Sequence, residues 1–341
     1  MKCVAIKDAK LLEVIEEKDP ISKNGSVIVA VKKAGICGSD IHYWESGQPQ
    51  GLIMGHEFCG TVLNPGNRED LKVGDRITAL PISPCGHCEA CKSGNVQYCL
   101  ETWNDAVGLS LTNSGGFAEK LSVRPDMVIK VPDNVKDEEA AMVEPSAVAL
   151  HAIHLADIKV GQKVLIIGGG IIGLLCAEFA KMEGASYVAM TETNTERGKK
   201  ALDLKVVDEY FYALNENLTQ ILAEKTNGGF DIVIDCCGNS SAVSSGIIYT
   251  KTGGTLILVG VSLTPITIPT VVGVMHEMKM QGAIAYTVNE FQTCLDLISD
   301  KKLNVLKFLD DIVPLDKVQA SFERLTSGTD SAVKIIVDPN L

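Results

Sequence analysis

Lys163-Val164-Leu165-Ile166-Ile167, followed directly by Gly168-Gly169-Gly170-Ile171-Ile172-Gly173, is the stretch on which the fold turns. Its first five residues read as a short buried strand, and Ile171 to Glu183 carries helical periodicity until Gly184 stops it. Between strand and helix the glycines fit G-x-G-x-x-G in the setting that pattern's mechanism needs. Gly168 permits the tight turn, Gly170 lets the backbone approach a pyrophosphate, and Gly173 lets helix and strand pack closely. The N–H groups that open the helix, at Gly170, Ile171 and Ile172, lack partners within it and are available to phosphate oxygens.

Tyr187 to Thr191 (YVAMT) is the next strand, and Glu192 ends it, nineteen residues after Gly173. A carboxylate there accepts bonds from ribose hydroxyls and repels a 2′-phosphate, which favours NAD over NADP; Arg197 is the counter-evidence, as a guanidinium able to hold that phosphate. Further strands are predicted at Phe230 to Asp235, Thr255 to Val259 and Met280 to Ile284. Strands alternating with helices imply a parallel sheet covered on both faces. Before about residue 148 the texture differs: short β-like runs at Val27 to Val31, Gly60 to Leu63, Arg76 to Leu80 and Val128 to Val131, broken by turns and without a long helical period. That pattern predicts an antiparallel, barrel-like domain. After Tyr286 a helix near Phe291 to Lys301 and a last strand from Val333 to Val337 are expected.

The whole chain of 341 residues is 46% hydrophobic and 22% charged, which excludes a disordered or fibrous protein and favours two domains. A net charge of −12 opposes general attraction to nucleic acid or an anionic membrane. MKCVAIKDAK carries charges where an export signal needs an apolar stretch, and the longest apolar run, Val164 to Ala177, is broken by glycines and too short to span a bilayer. A cytoplasmic protein is expected, with its eleven cysteines reduced.

Cys85, Cys88, Cys91 and Cys99 form C-x-x-C-x-x-C and a fourth cysteine within fifteen positions, a set that can close around one tetrahedral zinc ion. With no place left for water, such a zinc is structural, and an iron–sulfur cluster is its rival. His87 reads as a turn residue. Cys37 in GICGSDIH, His56-Glu57 in GHEFCG and Glu144 in AAMVEP are each unremarkable alone; together they offer sulfur, imidazole and carboxylate for an open, catalytic zinc. The remaining cysteines, at 3, 59, 176, 236, 237 and 294, read as ordinary core or loop residues.

GICGSDIH, GHEFCG, the Val-Gly-Asp-Arg at 73–76, the four-cysteine lobe and the glycine turn occur in the order of the zinc-dependent medium-chain dehydrogenases/reductases, which the chain resembles over its whole length. Ser39 to Glu45 and Val143-Glu144-Pro145 look most like the polyol (sorbitol) dehydrogenase branch, and Met142 to Leu150 is also similar to butanediol dehydrogenases. The resemblance implies a GroES-like catalytic domain at 1–148 and 285–341, a Rossmann NAD-binding domain at 149–284, and nicotinamide placed over zinc between them. It implies that Cys37, His56 and either Glu57 or Glu144 hold the catalytic zinc, that Ser39 contacts the substrate hydroxyl, and that His42 completes a proton path. The expected activity is hydride transfer between NAD and a secondary alcohol of a polyol or vicinal diol.

Where sorbitol-type enzymes carry an arginine before a tyrosine, this chain has Ala285-Tyr286, which weakens a long-polyol reading and favours a shorter diol. A phosphorylated polyol of the galactitol-1-phosphate kind is the alternative substrate. A zinc-free reductase and a non-catalytic nucleotide-binding protein are the competing readings, and the filled motif positions argue against both. Thr255 to Val261 with Leu263 to Ile268 resembles the edge region through which such domains pair, so a homo-oligomer, dimer or tetramer, is expected.

Overall fold

The computed structural model describes residues 1–262, 264–268 and 270–341. The chain divides into two compact units: residues 1–147, 286–327 and 334–341 form the first, and residues 148–285 and 328–333 the second.

In the second unit, six parallel strands form one sheet. Across the sheet they run Glu209–Tyr212, Tyr187–Glu192, Lys163–Ile167, Phe230–Asp235, Thr250–Leu258 and Lys279–Gly282. Numbered along the chain, that is third, second, first, fourth, fifth, sixth, the doubly wound order that reverses between the first and fourth strands. Lys163–Ile167 and Phe230–Asp235, which flank that reversal, are almost wholly buried because helices cover both faces of a parallel sheet. Leu165, Val233, Leu256, Phe230 and Ile247 lie in one apolar cluster beneath them. The glycine turn therefore opens at the crevice where such sheets take their ligands.

The first unit is built on an antiparallel sheet. Its strands run Asp311–Val313, Ile335–Val337, Val27–Gly35, Glu57–Asn64, Arg76–Ala79 and Val128–Lys130, with Lys120–Val123 also pairing on Val27–Gly35. Only the first pair is parallel. A hairpin of Lys2–Asp8 and Leu11–Glu16 forms a separate two-stranded sheet. Val27–Gly35 is central because its VIVAV core is buried while both of its edges are paired.

Several expectations change. Besides the short Glu89–Lys92 and Asp137–Ala141, the first 148 residues contain two longer helical stretches, Gly38–Ser46 and the start of Val143–Ala156. In the former only Asp40 and Trp44 are buried, so no apolar stripe marks it; the latter is apolar on nearly every side, which erases the period. Residues 328–333 count with the second unit, although 285–341 is expected in the first domain. The reason is polar: Asn194 Nδ2 donates to the carbonyls of Gly328 (3.1 Å) and Asp330 (3.0 Å), and Arg197 donates to Ala332 O (2.8 Å). Thr250–Leu258 is an inner strand, and the edge on that side of the sheet is Lys279–Gly282, whose four residues are exposed. Of the segment expected at that edge, Leu263 lies outside the described residues. Among the described residues no helix is long and apolar enough to cross a membrane.

Candidate functional site

The helix Gly38–Ser46 begins at Cys37, whose backbone N–H donates to Asp40 Oδ2 at 3.0 Å. Asp40 is wholly buried, and its other oxygen lies 3.3 Å from His56 Nδ1. One carboxylate thus fixes the helix start and places its charge beside the imidazole, although neither Asp40 Oδ1 nor His56 Nδ1 makes a hydrogen bond among the described residues. His56 and Glu57 stand where the Glu57–Asn64 strand begins, in register with Gly35 at the end of its neighbour, so the two motifs meet through strand pairing. The ligand atoms of Cys37, His56 and Glu57 all lie within 4.8 Å of one another.

Glu57 has no exposed surface. Its Oε2 accepts from the ammonium of Lys334, itself fully buried and also bonded to Ile36 O at 3.0 Å, and its Oε1 has no hydrogen-bond partner among the described residues. An orphaned, dry carboxylate oxygen beside a thiol and an imidazole fits a cation. The surrounding field agrees. Burial opposes the imidazolium of His56, yet Asp40 and Cys37 beside it outweigh burial and hold it well above the ordinary histidine value. Glu144, in the first turn of Val143–Ala156, is not among the three clustered ligands; Tyr286 Oη donates to its Oε1 at 2.8 Å. Burial pushes the Glu144 carboxyl up to about 7, with His56 and Tyr286 pulling the other way and Glu57 adding to the rise. Ser39 Oγ donates to Cys37 Sγ at 3.3 Å, and His42, half-buried, follows Ser39 by three positions on the same helix face.

In the cysteine lobe the four ligand atoms of Cys85, Cys88, Cys91 and Cys99 likewise converge within 4.8 Å. Backbone N–H groups of Cys85 and Glu101 point at Cys99 Sγ (3.3 and 3.4 Å), that of Gly86 at Cys91 Sγ (3.3 Å) and that of Cys88 at Cys85 Sγ (3.3 Å). Amides aimed at sulfur stabilise thiolate charge, and the Cys85 amide is the largest cause pulling the Cys99 thiol down to about 6. All eleven cysteines are free thiols.

In the glycine turn Gly168 has φ +104°, the left-handed region, and a Cβ on Gly173 would lie 2.0 Å from Gly168 O, so both positions require glycine. Glu192 Oε2 accepts from Gly169 N at 2.6 Å and Oε1 from Asn194 N at 2.7 Å, which holds the carboxylate against the turn. Arg197, expected as a possible phosphate ligand, donates from Nη2 to Ala332 O at 2.8 Å.

Residues 23–133 match the alcohol dehydrogenase GroES-like domain, and residues 172–300 match the zinc-binding dehydrogenase domain. Over 319 residues the chain is 32% identical to D-xylulose reductase A of Aspergillus niger, covering 90% of this chain and 88% of that one. This chain belongs to the zinc-dependent medium-chain dehydrogenase/reductase family. It is also 30% identical over 313 residues to D-xylulose reductase A of Aspergillus oryzae, across 89% of this chain and 87% of the relative. The crystal structure of 2R,3R-butanediol dehydrogenase from Bacillus subtilis superposes with a TM-score of 0.87 at 29% identity, covering 99% of each chain. These relatives place this dehydrogenase in the polyol and butanediol branch of its family.

Asp40 and Lys334 escape sequence reasoning. Asp40 sits inside GICGSD at the spacing of a helix-capping carboxylate, which is a usable signal. Lys334 interrupts the apolar run VKIIV, and a lysine there must be paired if both faces are covered. Replacing Lys334 with methionine strands the buried Glu57 charge and is expected to cost about 3 kcal/mol of stability in urea unfolding. An unchanged midpoint would show that the ion pair holds nothing.

Proposed function

We propose that this family member is an NAD-dependent, zinc-containing dehydrogenase that interconverts a secondary alcohol of a polyol or vicinal diol and the corresponding ketone. The observation that carries it is the convergence of the ligand atoms of half-buried Cys37 and buried His56 and Glu57, with Asp40 and Cys37 favouring positive charge at His56. The two xylulose reductases and the butanediol dehydrogenase are named for polyol or diol chemistry, which supports the substrate class.

Cys37, His56 and Glu57 would hold the catalytic zinc, with Glu144 close by, and Cys85, Cys88, Cys91 and Cys99 a second, structural one. Catalytic zinc of this kind supplies Lewis acidity that lowers the pKa of a bound hydroxyl. Tyr286 Oη, buried and donating to Glu144 Oε1, fixes the orientation of that carboxyl beside the site. Ser39 is too weak a base to take the proton alone, so its hydroxyl passes the proton on, and half-buried His42 is the group on its helix able to deliver it to solvent. The second unit would bind NAD: Gly168, Gly170, Ile171, Ile172 and Gly173 at the pyrophosphate, Glu192 at the ribose hydroxyls. Arg197 Nη2 is engaged by Ala332 O, which weakens its hold on a 2′-phosphate and so favours NAD over NADP. The exposed edge Lys279–Gly282, with Val271, Val274 and Met275 exposed on the preceding helix, supports pairing with a second copy. Reduced thiols are kept in the cytoplasm, the compartment this reading implies.

The test is NADH absorbance with butanediol, xylitol, sorbitol, glycerol and a phosphorylated hexitol, using NAD and NADP, with and without a strong chelator. Chelator-sensitive NADH formation from a diol or polyol is expected; its absence with every alcohol would overturn the assignment. Glu192→Ala is expected to shift the NAD/NADP ratio of kcat/KM toward NADP by about tenfold, equivalent to ~1.4 kcal/mol. An unchanged ratio would remove Glu192 from cofactor choice.

A further inference from the structure

We propose that the rim of the cysteine lobe binds a second divalent ion, thiophilic and exchangeable, through Cys85 Sγ, an imidazole nitrogen of His87 and the Glu101 carboxylate. The proposal rests on the four-cysteine zinc reading, since Cys85 would be shared between the two ions.

The ligand atoms of Cys85, His87 and Glu101 lie within 4.8 Å of one another. Donors around a tetrahedral zinc stand about 3.5 Å apart, given metal–ligand bonds of ~2.0–2.3 Å. The cluster therefore needs a contraction of only about an ångström from two exposed side chains. His87 is already tethered. Its Nδ1 lies 3.0 Å from the carbonyl oxygen of Cys85, and a carbonyl oxygen can only accept, so Nδ1 is the donor and Nε2 is the ring nitrogen left for a metal. The ring is thereby oriented by the backbone of the cysteine it would join. Glu101 is placed by its own backbone, whose N–H donates to Cys99 Sγ at 3.4 Å, while its exposed carboxylate makes no bond or ion pair among the described residues.

Charge and access point the same way. Four thiolates around one divalent zinc leave two net negative charges, and Glu101 adds a third, so the rim attracts a cation. Cys85, like Cys88 and Cys91, is half-buried where Cys99 is only 4% exposed, so its sulfur keeps an outward side toward His87 and Glu101. Three protein donors with a remaining water position make an open site, and sulfur, imidazole and carboxylate together select zinc or cadmium over magnesium or calcium.

The test uses purified full-length protein carrying its own metal. After dialysis, tightly held zinc is counted by elemental analysis, and the protein is titrated calorimetrically with zinc, with cadmium and with magnesium. A further weak equivalent is expected for zinc and cadmium and none for magnesium. His87→Ala is expected to abolish it, and Glu101→Gln to weaken it at least tenfold. Both variants should keep their tightly held zinc and their thermal midpoint. No heat beyond dilution in the wild type, or the same extra equivalent in both variants, overturns the proposal. If the four-cysteine reading itself fails, the failure appears earlier and separately, as dialysed wild type holding no zinc that Cys91→Ser lacks.

Discussion

Cys37→Ser is expected to lower kcat/KM by at least about a thousandfold, or ~4 kcal/mol of transition-state stabilisation, while leaving the fold intact. Loss of a partner that merely orients a metal ligand costs roughly 10–100-fold, and loss of a ligand costs more. The fold should survive because the helix start depends on the Cys37 backbone N–H bonded to Asp40, which serine retains. The thiol itself is half-buried, and its hydrogen-bond neighbour is Ser39 Oγ at 3.3 Å. Steady-state rates with NAD and a diol, beside circular dichroism and a melting curve, decide it. A variant as active as the wild type would remove Cys37 from the chemistry.

Cys91→Ser is expected to act in the opposite sense, on stability first. Cys91 Sγ stands among Gly86 N at 3.3 Å, Cys88 Sγ at 3.6 Å and Cys85 Sγ at 4.0 Å, the centre of a lobe with few buried apolar side chains. Where a metal replaces a core, its binding free energy, ~10–16 kcal/mol for structural zinc, becomes folding free energy. Losing one of four ligands should remove about 5 kcal/mol and lower the melting temperature by roughly 10 °C or more. Limited proteolysis should cut first between Cys85 and Cys99. A variant that melts with the wild type and resists the protease would mean the lobe holds itself without metal.

What could be read from the sequence is what is local in it. Lys163 to Gly173 carries strand, turn and helix within one short window, and the structure forms all three there. The four cysteines are close in sequence, so their convergence also needed no long-range contact to foresee. Lys334 and Glu57 are 277 positions apart, and nothing near either residue announces the pairing. The same holds for Tyr286 and Glu144, which are 142 apart. Gly38–Ser46 was hidden for another reason: a helix that buries only Asp40 and Trp44 leaves no periodic trace. The bond from Arg197 to Ala332 O likewise joins segments 135 residues apart and has no local signal.

Anomalous diffraction at the zinc absorption edge, from crystals of the protein grown without chelator, would locate the metal directly. A peak is expected about 2.3 Å from Cys37 Sγ and about 2.0–2.1 Å from a ring nitrogen of His56, with a carboxylate oxygen completing the protein ligands. A metal-replete crystal with no peak there, and with Cys37, His56 and Glu57 packed against one another, would contradict the catalytic assignment.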